Sequence, residues 1–251
     1  MAFAFHLLAF VLYLRVWLWH TTPAALLLPG ATGFGWFFRY LTFCSYTLQL
    51  VQLAVCCMAH LTKVRSRVAL ARLRLAAPAA AHRPAAAALQ SPARRARLST
   101  AADRLSCAAF GIANTVTAMF YAVENTTQGL VEGGAADRPW WLAAAVHVLN
   151  SAVAWVDLFV VEERSFGGPS RHLALGLGLA YSGWMLVVRA AYGRFPYPVI
   201  NALPFPSGYL GFASVGVTSV MVCFEVGRAV KHRLLPGGRA RRRAARARKA
   251  Q

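Results

Sequence analysis

Thr42 and His147 are the two residues of this sequence whose types and places suit chemistry. Thr42 lies in the aromatic stretch Gly33-Phe-Gly-Trp-Phe-Phe-Arg-Tyr-Leu-Thr-Phe-Cys-Ser-Tyr-Thr47, and His147 closes Trp141-Leu-Ala-Ala-Ala-Val-His147. Each alone is ordinary, since threonine packs well inside membrane helices and bonds to its own backbone. Together they suit acyl transfer: a neutral imidazole takes the hydroxyl proton while the oxygen attacks an ester carbonyl. His6 and His60, by contrast, fall near the ends of their apolar runs. No Gly-x-Ser-x-Gly elbow, HExxH, P-loop or dinucleotide fingerprint is present, so neither a cofactor nor a metal is expected. The five cysteines all lie in apolar runs without a CxxC pair and read as small packing residues.

The elements that must position the pair are membrane helices. Hydrophobic residues make up 58% of the 251 positions and charged ones 14%, and the mean hydropathy is +0.47, too apolar for an ordinary soluble domain. Apolar runs of spanning length predict an all-α, multi-pass bundle with spans at 2–19, 36–61, 105–123, 140–161, 173–191 and 207–230. The first span is expected to stay uncleaved: no Lys or Arg precedes its apolar core, and Arg15, Trp17 and Trp19 follow as interfacial anchors. Residues 20–35 read as a short loop broken by Pro23, Pro29, Gly30, Gly33 and Gly35. Residues 62–102, rich in Ala, Arg and Pro, form an inserted loop in which Pro78, Pro84 and Pro92 preclude a long helix and most of the segment is expected to be disordered. Its basic first part suits either a short helix on anionic lipid or a solvated linker. The membrane domain is thus 1–231, followed by a basic, disordered tail at 232–251.

The formal charge of +19 does not point to nucleic acid, because 20 of the 27 Lys and Arg residues lie between Lys63 and Arg104 or between Arg228 and Lys249. The positive-inside rule makes that side, and both termini, cytosolic, in the plasma membrane or the endoplasmic reticulum. The tripeptide Asn125-Thr-Thr127 abuts a span end and is expected to carry little or no glycan. With this topology Thr42 lies about 9 Å and His147 about 10 Å below the outer start of its span. At 3.6 residues per turn, Thr42, Ser45, Tyr46, Gln49 and Gln52 share one stripe, and His147, Asn150, Ser151, Ala154 and Asp157 share another. The stripes should face each other or a common cavity. An alternative is that they only glue two helices, with Gln52 near Asp157. Asp157 lies about 15 Å too far inward to orient His147, so any machinery is a dyad. Tyr46, Gln49 and Asn150 are candidate supporting donors, although each also suits plain packing.

The stretch at 33–47 with Leu41-Thr42-Phe43, the Trp141-Leu142 to His147 spacing, and Tyr181-x-x-Trp184 followed by Gly193-Arg-Phe-Pro-Tyr-Pro198 resemble the androgen-induced membrane protein family over residues 33–230. The resemblance implies a threonine hydrolase cleaving fatty acid esters of hydroxy fatty acids, with Thr42 matching the nucleophile and His147 its partner. Asp157 falls where members carry Glu. Ala144 stands where animal members have a second His, and the Ala/Arg/Pro insert lengthens the loop after the second span. The partners expected are a lipid ester and anionic headgroups at the basic loop and tail. A non-catalytic membrane scaffold or regulator binding anionic lipid or a protein is the competing reading. A transporter is a weaker one, since no inverted pair of broken helices is visible.

Overall fold

The structure, a computed structural model, describes residues 1–76, 92–124, 139–161 and 164–234, and among the described residues all regular structure is helical. The expectations for a disordered segment at 77–91, for Asn125 and for the tail beyond 234 fall outside the described residues. Six helices are long and apolar enough to cross a membrane. They are α1 (Ala2–Trp19), α2 (Leu41–Ala76), α3 (Pro92–Glu124), α4 (Trp140–Val160), α5 (Gly168–Tyr192) and α6 (Ser207–Ala229). The chain is a multi-pass membrane helix bundle.

Successive helices run in opposite directions. His6 near the start of α1 bonds Asp157 near the end of α4, Gln52 well along α2 bonds Ser106 early in α3, and Tyr209 at the start of α6 bonds the Ser182 carbonyl of α5. The bundle therefore has a basic end, where α1, α3 and α5 begin, and an aromatic end, where α2, α4 and α6 begin. Helix α3 is the centre: 61% of its span is buried, against 17% for each of α1, α5 and α6. Its sequence explains this, because Ser106, Cys107, Ala108, Ala109, Gly111 and Ala113 let neighbouring backbones come close where lipid offers no hydrophobic drive for association.

Four boundaries differ from those the apolar runs predict, one being the start of α5 at Gly168 rather than 173. Helices α2 and α3 reach further into the basic segment than expected, to Ala76 and from Pro92. Pro92 opens α3, at the position where a helix tolerates a missing amide donor. At the aromatic end α2 starts five residues later than expected, at Leu41 rather than 36. Trp36–Arg39 is instead a 3-10 turn, entered through Gly33 and Gly35 at φ 83° and 85°, a region that side-chain-bearing residues rarely adopt. Residues 20–40 are not an open loop but a packed plug of short turns. The buried Arg39 guanidinium holds it together, donating to the Thr32 carbonyl at 2.5 Å and to the Pro29 carbonyl, with the Tyr192 ring 5.1 Å from its carbon.

Candidate active site

Thr42 stands in the first turn of α2, and the start of that helix is fixed from outside. The Leu41 amide donates to the Tyr197 hydroxyl at 2.8 Å, the Tyr181 hydroxyl donates to the Arg39 carbonyl at 2.9 Å, and the two phenol oxygens lie 3.0 Å apart. The first intrahelical bond runs from the Cys44 amide to the Tyr40 carbonyl, 3.2 Å. The amides of Thr42 and Phe43 thus precede the helical ladder, at the positive end of the helix dipole. Thr42 therefore opens its helix rather than sitting six residues inside one.

His147 lies in a π-helical turn, Ala144–Val148, within α4. Such a turn frees a carbonyl from the regular ladder, and here the His147 carbonyl accepts the Thr117 hydroxyl of α3 at 2.5 Å. Its imidazole is buried and stacks on the Phe120 ring of α3, with centroids 3.6 Å apart and planes 13° apart. Backbone and ring are both held by the central helix.

Thr42 and His147 line the same cavity, about 150 Å³ in volume. That is room for part of one lipid chain and not for two, since an apolar cavity of about this size in another protein takes a single benzene. The cavity lies among three packed groups of side chains: Phe37, Phe43, Leu142 and Val146 beside α1, Tyr40, Phe120, Met185 and Tyr197 at the aromatic end, and Ile112 with Val220 toward the basic end. Its polar lining is confined to a few groups, among them Thr42, His147, Tyr181, Ser182 and Tyr197.

The proposed supporting residues are elsewhere. Gln49 donates to the Asn150 carbonyl at 2.9 Å, and Asn150 donates to the Ser45 hydroxyl at 3.1 Å. The Tyr13 hydroxyl of α1 donates to Gln49, while the Tyr13 and Tyr46 rings stack at 4.2 Å. Tyr46, Gln49 and Asn150 do not line the cavity. The two polar stripes do meet, but at Ser45, Gln49 and Asn150, and α1 closes over that junction with a tyrosine. Gln52 bonds Ser106 at 2.8 Å rather than Asp157, and Ser151 donates to Asn114 at 2.5 Å.

Asp157 belongs to the basic end. Its carboxylate accepts from His6 Nε2 at 2.7 Å and from Arg164 Nε and Nη2 at 2.8 Å each. Lys231 donates there to the Val161 carbonyl at 2.7 Å, just past the end of α4. Among the described residues no three His, Cys, Asp or Glu side chains gather as a metal site requires.

One cavity residue has no signal in the sequence. His20, only 4% exposed, lines the cavity beside the Phe37 and Phe43 rings, each 4.8 Å away. Its Nδ1–H donates to the Val16 carbonyl at 2.8 Å, and burial pushes its pKa down, so it is a neutral imidazole with Nδ1 carrying the proton. Nothing in the local sequence marks it, because its burial comes from the plug folding back over α1. Tyr181 and Tyr197 carried a signal, as both stand in the motifs behind the family resemblance.

No curated protein and no solved structure matches the chain. Residues 1–230, which contain five of the six spans whole and nearly all of the last, match the family described as FAR-17a/AIG1-like protein, and the chain belongs to that family.

Proposed function

We propose that the protein is a membrane-embedded ester hydrolase with Thr42 as nucleophile and His147 as its base, acting on fatty acid esters of hydroxy fatty acids. The observation that carries this reading is the shared cavity: from helices remote in sequence, the Thr42 hydroxyl and the His147 imidazole line a single pocket whose wall is mostly apolar. His147 takes the Thr42 proton as the threonine oxygen bonds to the ester carbonyl carbon. The resulting oxyanion develops near the positive end of α2, where the amides of Thr42 and Phe43 are the nearest backbone donors. The intermediate collapses by breaking the bond to the alcohol oxygen, which leaves with the proton held on His147. An acyl-threonine remains. Water, deprotonated by the same imidazole, then attacks it and releases the fatty acid and the threonine hydroxyl. Among the described residues no carboxylate lines the cavity, and Asp157 is engaged by His6 and Arg164. The carbonyl bond to Thr117 and the stack on Phe120 hold His147 instead.

Labelling of the purified protein by a fluorophosphonate probe, compared between wild type and Thr42→Ala, tests the nucleophile. Undiminished hydrolysis by Thr42→Ala ends the proposal. The same reading places the basic end, and with it both termini, in the cytosol, in the plasma membrane or the endoplasmic reticulum. A C-terminal tag protected from protease in sealed vesicles with their lumen outside the cytosol would reverse that orientation.

A further inference from the structure

The cavity is not uniform along the bundle axis. It is lined along α3 from Phe120 to Ile112, along α5 from Met185 to Leu177, and along α6 from Phe212 to Val220. On each helix that is about 12 Å of rise. The hydroxyls and the imidazole gather toward the aromatic end. Beyond Tyr181 the wall changes character: Ile112, Val116, Leu177, Val217 and Val220 present only hydrocarbon, and Gly178 and Gly216 present no side chain. A Cβ at Gly216 would find its nearest atom, Met119 Sδ, 3.9 Å away, and one at Gly178 would find Val217 Cγ2 at 3.6 Å, both ordinary contacts. A longer side chain at either position would project into the bore.

This arm is closed at its far end. A Cβ at Gly111 would stand 2.9 Å from the Val220 carbonyl oxygen and 3.3 Å from Phe224 Cβ, so the α3 and α6 backbones touch there. Ile112 and Val220 belong to the packed group that includes Phe110 and Phe224. A blind apolar passage that begins beside a nucleophile and ends on a packed floor suits one chemical group: an unbranched hydrocarbon chain ending in a methyl. A carboxylate would meet no donor there, and leaving it unpaired in such surroundings is costly.

We infer that the passage from Tyr181 to the Gly111–Val220 contact is a subsite for the acyl chain transferred to Thr42, with Gly178 and Gly216 setting its bore and Ile112 its depth. This assignment rests on the hydrolase reading for its direction, acyl chain inward and hydroxy-acid portion toward the aromatic end. It also deepens that reading, because it names which half of the ester is measured.

Two experiments on the full chain in nanodiscs test it, one of them independent of turnover. In the first, an octanoate analogue with a diazirine at its methyl end is photolysed with Thr42→Ala protein and the adducts are mapped. Adducts on α3, α5 or α6 between the Tyr181 level and the floor are expected, and adducts confined to the plug at 20–40 or to the lipid-facing surface overturn the subsite. In the second, kcat/KM is compared for p-nitrophenyl octanoate and p-nitrophenyl acetate. Gly216→Leu should lower the octanoate-to-acetate ratio about tenfold, and Ile112→Ala should raise the ratio of decanoate to octanoate severalfold, in line with the discrimination a hydrophobic pocket gives per methylene. Should Gly216→Leu fail to fold, Gly178→Val and Ile112→Ala carry the same comparison. Unchanged ratios in folded variants that still label at Thr42 overturn the subsite and leave the dyad standing. Full hydrolysis by Thr42→Ala, with adducts still mapped to the passage, removes the dyad and leaves a lipid-binding pocket.

Discussion

The two ends of the bundle handle buried polarity in opposite ways. At the basic end His6, Asp157 and Arg164 form an ionic set, with both carboxylate oxygens engaged by three donors, beside a second cavity of about 320 Å³ that His6 and Arg164 line. At the aromatic end Thr42, His20 and His147 line a cavity. A polar group inside a membrane bundle costs several kcal/mol unless it is satisfied. The basic end answers that cost with charge against charge, whereas the aromatic end sets hydroxyls and imidazoles among apolar side chains. A paired carboxylate holds helices together; a hydroxyl and an imidazole bordering one cavity can meet a ligand there.

Substitutions at the two ends should therefore separate turnover from stability. Thr42→Ala and His147→Ala should each lower ester hydrolysis on the order of 10³-fold or more, and the double variant hardly further, because members of one catalytic unit are not additive. Thermal unfolding in detergent should shift little. A double variant much slower than either single one would mean that the two residues do not act as a unit. Asp157→Asn should do the reverse, costing about 3–5 kcal/mol of stability because it leaves Arg164 buried without a counter-charge. Turnover per folded molecule should persist, and a folded but inactive Asp157→Asn would break the division between the ends.

Tyr197→Phe sharpens the comparison from between the extremes. It removes the hydrogen bond at the Leu41 amide and a neighbour of the Tyr181 hydroxyl, worth about 1 kcal/mol of stability. By loosening the turn that carries Thr42 it should slow hydrolysis about tenfold, measured as kcat against KM. An effect on KM alone would show that Tyr197 meets the substrate rather than the helix start. The smallest effect is expected from truncation after Pro236, which removes the basic residues from Arg239 to Lys249 and should leave hydrolysis unchanged. Abolished activity in that variant, correctly inserted, would join the tail to the site.

The six spans were legible because length and hydropathy alone determine them. Where helices begin was less so: Trp36 to Phe38 is as apolar as the first turns of α2, and the positive φ at Gly33, Gly35 and Trp36, invisible to hydropathy, delays α2 to Leu41. The extra turns of α2 and α3 were hidden by their basic residues, which end a span without ending a helix. Meeting of the two stripes could be read from helical period, yet the insertion of Tyr13 could not, since α1 offers little polar periodicity of its own. His6 seemed interfacial by position and is 1% exposed, because Asp157 of a remote helix lies opposite it. His20 was unreadable for a like reason, its surroundings being set by a plug whose fold depends on Arg39 and the glycines.

The π turn at Ala144–Val148 separates two functions carried by one helix. In a regular helix His147 and Asn150 share a stripe, but here the histidine serves the cavity beside Phe120 while Asn150 bonds Ser45 of α2. One residue of surplus is a phase shift of about 100° between the segments on either side. Deleting a single alanine from Ala143-Ala144-Ala145 would bring the two segments back into phase and, with Asn150 anchored, turn Trp140, Trp141 and Leu142 by that angle. The length of the chain at this point, more than the identity of its alanines, is what sets how Trp141 meets α1 and Leu142 meets the cavity.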